Sequence, residues 1–147
     1  MNVAKKTRGI ISVELLILFM VLMFLVFASV DYFNTLIQYQ LAQHLCNYYL
    51  ERVRVCGRLT TADETEMITK FSGIGLTVES IASVPRESLG QPAVTKNLDN
   101  PDGCKITMTL TLKPAKRPFL IGYLVGGDMA ADSFRIKVGG TVLSEKI

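Results

Sequence analysis

A chain of 147 residues, 49% hydrophobic and with mean hydropathy +0.32, is more apolar than an ordinary soluble domain and long enough for one small domain beside a membrane segment. Lys and Arg number 16 against 13 acids, a net charge of +3, and Lys5, Lys6 and Arg8 at the N-terminus account for that whole surplus. The remainder is neutral, which argues against a nucleic-acid-binding domain with a basic folded face. A basic tail ahead of an apolar run fits the positive-inside rule instead, with the tail in the cytoplasm and the C-terminal part outside.

The first predicted element is apolar throughout. Ile10 to Val30 reads "IISVELLILFMVLMFLVFASV" and carries one ionisable side chain, Glu14. Its 21 residues span roughly 31 Å as a helix, enough to cross a hydrocarbon core. A charge inside such a segment costs a few kcal/mol near the bilayer centre and marks a functional position. The residues around it, "KKTRG" followed by "IISVE", resemble the class III signal of type IV pilins and pseudopilins, most closely the TadE-like minor pilins of Tad secretion systems.

That resemblance implies a basic leader, residues 1–9, cut by a prepilin peptidase between Gly9 and Ile10. It implies that Glu14 is the fifth mature residue and sets registry in an assembly. Ile10 stands where many pilins have Phe, and Leu15 departs from the Glu-Tyr pair of the small Flp-type pilins. Once cut, Ile10 carries a free ammonium at the membrane boundary, and the natural partner for it is a neighbouring subunit's Glu14. The plainer alternative is a Glu14 that snorkels to water from an uncleaved signal anchor.

The helical pattern continues past the membrane. "DYFNTLIQYQLAQHLCNYYLERVRVCG" has no Pro and no Gly before Gly57, which predicts one helix from about Ile10 to Cys56. Phe33, Ile37, Leu41, Leu45, Tyr48 and Val55 share a face, interrupted by Asn34 and Arg52, and that stripe is expected to carry the head. Arg52, Arg54 and Arg58 gather where a helix C-terminus favours cations, with Gly57 as the C′ residue. Two helices bent near Asp31–Asn34 are the alternative.

Residues 59–147 then predict a small α+β head. "TTADETEMITKF" is a short helix with Thr61 and Glu64 at capping-box spacing. "GIG" at Gly73–Gly75 ends it, "LTVESIAS" reads as a strand, and "VPRESLGQPAVTKNLDNPDG" as a long loop. "CKITMTLTLK" alternates Ile106, Met108, Leu110 and Leu112 with threonines, the clearest strand. "RPFLIGYLVGGDM" reads as a strand or short helix, and "DSFRIKVGGTVLSEKI" as a last strand bulged or bent at Gly139–Gly140. The expected architecture is α+β: a long N-terminal helix packed on an antiparallel sheet of three or four strands. Its divisions are a leader (1–9), a transmembrane helix (10–30), its extracytoplasmic continuation (31–58) and the head (59–147).

Nothing in these elements points to catalysis, a cofactor or a metal. His44 is the single histidine and lacks a catalytic partner in the sequence, so a packing or solvated role fits it better. Cys46, Cys56 and Cys104 form no CxxC pair, which disfavours zinc. "GYLVGGD" has neither dinucleotide nor Walker spacing. Asp63, Glu64 and Glu66 suit a helix N-terminus, and Asp99, Asp102 and Asp128 lack calcium-loop spacing. Cys46 and Cys56 are about 15 Å apart on one helix and cannot bridge. Measured from the stripe, Cys56 lies near its edge and Cys46 points away. A Cys56–Cys104 disulfide is therefore expected, with Cys46 free or meeting another subunit; three unpaired thiols are the alternative.

These observations imply a structural, non-enzymatic minor pilin or pseudopilin in the inner membrane or its filament. Its expected partners are a prepilin peptidase, other pilins, the inner-membrane assembly platform and the lipid bilayer. The competing expectation is an uncleaved single-pass anchor whose outer domain binds an envelope protein.

Overall fold

The computed structural model describes residues 3–115 and 134–147, and within them the chain is α+β. The long helix α1 (Val3–Cys56) is followed by α2 (Thr61–Gly73) and three strands, β1 (Leu76–Ala82), β2 (Lys105–Pro114) and β3 (Ile136–Leu143). The strands form one antiparallel sheet in the order β1-β2-β3. The predicted segment "RPFLIGYLVGGDM" lies outside the described residues.

Helix α1 runs without a break for 54 residues, about 81 Å at the ordinary rise. The bend considered near Asp31–Asn34 does not occur. Ser29 and Thr35 there point their hydroxyls back to the carbonyls of Leu25 and Asp31, satisfying themselves within the helix. The helix stops at Gly57, which takes the left-handed conformation (φ 72°) and donates its N–H to the Val53 carbonyl at 2.7 Å. A Cβ there would lie 2.3 Å from the Val94 carbonyl oxygen, so glycine is required twice over, by conformation and by space.

The face of α1 that meets the head shares with the predicted stripe only Leu45, partly buried against the core. Ala42, Cys46, Tyr49, Leu50 and Val53 are buried, whereas Phe33, Ile37, Leu41, Tyr48 and Val55 are exposed. The sheet approaches α1 at Gly139 and Gly140 of β3, where the Gly140 Cα leaves room for the Leu50 side chain. Small residues at 42 and 46 keep the backbones close, and Gln43 donates to the Gly139 carbonyl at 3.1 Å. The predicted bulge at these glycines is also absent: Gly139 and Gly140 pair in register with Thr109 and Met108. The irregularity falls in β1 instead, between Val78 and Ser80.

Strand β2 supplies the core as its alternation predicted, with Ile106, Met108, Leu110 and Leu112 all buried. They pack with Leu76, Ile136 and Val138 from the neighbouring strands and Met67 and Phe71 from α2. Each such side chain contributes roughly 1.5–3 kcal/mol by leaving water. The N-cap of α2 lies one residue earlier than predicted. Thr60 is the N-cap, its hydroxyl accepting from the Asp63 N–H at 3.1 Å, so the pair is Thr60 with Asp63 and not Thr61 with Glu64.

Candidate functional site

The residues singled out for processing and assembly all lie on the first half of α1. Gly9 and Ile10 fall inside its first turns, and Glu14 follows one turn later with its side chain exposed. Its neighbours Val13, Leu15, Leu16, Ile17 and Leu18 are exposed too, each by more than half of their surface. A helix whose most apolar stretch is entirely unburied has no reason to be so in water. It is long and apolar enough to cross a membrane, near the N-terminus.

At the other end of α1 the arginines of its last turns and Arg58 just beyond it each find a carboxylate. Arg52 contacts Asp63 at 2.7 Å and Glu66 at 2.9 Å, and Glu66 also takes Lys70 at 2.8 Å. The Lys70 and Arg52 hydrogen bonds hold the Glu66 carboxyl below the usual range. Arg52 and Lys70 also stand over the Tyr48 ring, 5.9 and 5.1 Å from its centroid. Arg54 pairs with Glu145 and Glu51, and Arg58 with Glu87. The cluster therefore does more than face the helix dipole: it fastens α1 to α2, to the loop and to the chain end.

Glu64 is nearly buried. Burial alone would raise its carboxyl, yet hydrogen bonds from Arg86 and from Ser88 (2.7 Å) hold it below the usual range. The partnership of Arg86 with Glu64 joins α2 to the loop after β1, where Leu59 sits opposite Arg86 in a short parallel bridge, donating to the Pro85 carbonyl at 2.8 Å and accepting from the Glu87 N–H at 2.9 Å. The loop is pinned again at Val94, whose N–H reaches the Gly57 carbonyl at 2.9 Å and whose carbonyl accepts from Ser144.

The cysteines correct the expected pairing. All three are free thiols, so the Cys56–Cys104 disulfide is not formed. Cys46 does not point away from the head; it sits fully buried in the core, and burial pushes its thiol up to about 11. The Cys104 sulfur is engaged in its own turn, accepting from the Asn97 N–H at 2.8 Å and facing the carbonyls of Asn97 and Asn100. Cys56 is half-buried. The disulfide argument failed because it measured both helix cysteines from the wrong stripe.

Among the described residues no cluster of His, Cys, Asp or Glu is arranged to hold a metal ion. His44 is exposed on α1, Asp99 and Asp102 are exposed, and Asp128 lies outside the described residues. Sequence reasoning missed the paired roles of Asp63 and Glu64 as buried carboxylates. The available signal was three acids in four positions soon after an arginine-rich helix end, of which only Arg52 meets them; Arg86, the partner of Glu64, comes from the loop after β1. Comparison with known proteins adds nothing to this geometry: no protein-family model, curated protein or solved structure matches the chain.

Proposed function

We propose that this chain is a minor pilin or pseudopilin: a non-enzymatic structural subunit of a type IV-like, Tad-type pilus or secretion machine, processed by a prepilin peptidase after Gly9. The observation that carries the reading is the division of α1. The head packs on Ala42–Val53, while Val13–Val30 stays bare, apolar and interrupted only by Glu14. A plain anchor needs the apolar surface but has no use for the carboxylate or for the Gly-Ile boundary ahead of it. Partners under this reading are the prepilin peptidase, other pilins, the inner-membrane assembly platform and the bilayer. The chain then sits in the inner membrane with its N-terminus in the cytoplasm and its head outside.

The test is the intact mass of the membrane-extracted chain from cells with an active prepilin peptidase. A mature chain beginning at Ile10, with Gly9→Val left uncut, is the expected result. Retention of residues 1–9 by the unaltered chain overturns the pilin reading and leaves a single-pass anchor whose head binds an envelope partner.

A further inference from the structure

Beyond the apolar run, α1 keeps a second face that the head does not use. The head covers Ala42, Cys46, Tyr49, Leu50 and Val53, while Phe33, Ile37, Leu41, Tyr48 and Val55 each leave about half of their surface or more open. Those five fall within about a quarter of the helix circumference, on the side away from the buried set. From Phe33 to Val55 the stripe extends about 33 Å along the helix. Single apolar residues on a surface need no explanation, but a continuous stripe of this length marks a contact.

Within that sector stand His44 and Glu51, both exposed, and with Tyr48 they also border a groove along α1. Glu51 contacts Arg54 at 3.2 Å, but that guanidinium also serves Glu145. His44 makes no ion pair or hydrogen bond among the described residues. Seven residues, about 10.5 Å of rise, separate His44 from Glu51 along one line of the helix. A second copy of the chain, anchored the same way round, brings a parallel helix with the same stripe. In register, the two set Glu51 on Glu51 and His44 on His44. Offset by one turn, Glu51 meets Tyr48 or Val55, and His44 finds no carboxylate. Offset by seven residues, His44 meets Glu51, whose carboxylate accepts an imidazole N–H in either protonation state. The same offset sets Leu41 against Tyr48 and Tyr48 against Val55, apolar on apolar. The stripe is thus complementary to itself at one register, and that selects the occupant.

We propose that the exposed stripe of α1 binds the same stripe on a second copy of this chain, shifted by seven residues, with His44 of one copy on Glu51 of the other. The proposal rests on the assembly reading and deepens it by naming a like subunit and its register. An offset contact is heterologous: it leaves one copy's Glu51 and the other's His44 open, so it admits further copies instead of closing as a two-fold dimer. One polar pair in an apolar seam contributes register more than affinity.

The experiment uses the full chain in cells with an active prepilin peptidase, as two differently tagged copies that both carry Cys56→Ser to remove the accessible thiol. One copy carries Leu41→Cys and the other Tyr48→Cys, and the products of brief oxidation are read by tag and by intact mass. The mixed 41–48 product is expected to exceed the 41–41 and 48–48 products at least about fivefold, since the offset holds like positions about 10 Å apart, beyond disulfide reach. Glu51→Lys in both copies is expected to abolish the mixed product, and adding His44→Glu to restore it with the charges exchanged. Both positions are exposed, so neither change disturbs the core. Predominance of the like products overturns the proposal in favour of an in-register dimer. Products with other proteins alone overturn it in favour of a different partner, and a mixed product indifferent to Glu51→Lys overturns the pairing. Absence of the mixed product overturns the proposal whether or not the chain is cut after Gly9. A chain that keeps residues 1–9 yet gives the charge-dependent mixed product defeats the prepilin reading and upholds the self-contact.

Discussion

Arg52 bridges two helices: its Nη2 lies 2.7 Å from Asp63 Oδ1 while its Nη1 donates to Glu66 Oε2 at 2.9 Å. Asp63 is only 5% exposed in its side chain, so it depends on that guanidinium, whereas Arg52 itself is 41% exposed and partly screened. Removing Arg52 leaves a buried carboxylate short of its cation. Arg52→Ala is expected to destabilise the head, by less than the loss of a fully buried pair because water reaches the guanidinium. Arg52→Lys is expected to recover little, since one ammonium does not reproduce a fork that serves two carboxylates. Denaturant titration of the full chain in detergent checks both.

Acid sensitivity follows from Glu64 and Glu66. Both carboxyls are held below 4.5 in the folded chain, Glu64 by Arg86 and Ser88 against the opposing effect of burial, and Glu66 by Lys70 and Arg52. Groups of this kind stabilise the fold fully above their unfolded value, and the contribution is lost as pH falls through the folded one. Thermal midpoints of the head are expected to be flat above pH 5 and to fall below about 4.5. Glu64→Gln is expected to lower stability at neutral pH and to flatten the acid limb. An unchanged acid limb in that variant assigns the sensitivity to other carboxylates.

The two adjacent glycines of β3 separate steric causes. A Cβ on Gly139 would stand 2.5 Å from the Met108 carbonyl oxygen, which is backbone and cannot yield without disturbing the β2–β3 pairing. On Gly140 it would meet Leu50 Cδ1 at 2.7 Å, the end of a side chain able to rotate. Gly139→Ala is therefore expected to cost about 1–3 kcal/mol and Gly140→Ala distinctly less. Similar losses in the two variants refute this account of the α1–sheet contact.

Period and punctuation carried most of the fold. The unbroken helix was readable because no Pro and no Gly stands between Gly9 and Gly57, and β2 because four apolar residues alternate with polar ones. The helix face was misread because hydrophobic periodicity offered two overlapping faces. Leu41 and Tyr48 outrank Ala42 and Cys46 as apolar residues, yet the sheet covers the face of Ala42, Cys46, Tyr49 and Leu50. The glycine pair that signalled this contact was itself assigned to a bulge. The candidate residues Gly9, Ile10 and Glu14 were legible as a pattern, whereas the direction of β3 along α1 is something no local pattern contains.

Burial orders the thiols. Cys46 is fully buried with its thiol raised to about 11, Cys104 is buried within hydrogen-bonding distance of Asn97, and Cys56 is half-buried at the end of α1. A maleimide is expected to modify Cys56 first in the folded chain and Cys46 only on unfolding. Cys46→Ser places a hydroxyl among apolar neighbours and is expected to cost about 1–3 kcal/mol, more than Cys46→Ala does in this tightly packed face. Peptide mapping without reduction and a denaturation series read both. Rapid modification of Cys46 in the folded chain is incompatible with its place in the core.

Glu14 provides the sharpest separation between an assembly subunit and a plain anchor. It is exposed on α1 among apolar residues that are themselves exposed, and no interaction with its carboxylate is found among the described residues. In an anchor, replacing it removes a cost: Glu14→Leu makes the segment more apolar and leaves the protein inserted and unimpaired. In an assembly whose neighbouring ammonium at Ile10 needs a carboxylate, the same change leaves that cation unpaired in low dielectric. Glu14→Ala and Glu14→Leu are thus expected to insert and to be cut normally, yet to lose crosslinks to other pilins alike. The equivalence of the two matters, because both changes make the segment more apolar, Leu more than Ala, and a defect arising from hydrophobicity alone is unequal in the two variants. Full co-assembly of both variants assigns Glu14 to water and removes its role in registry.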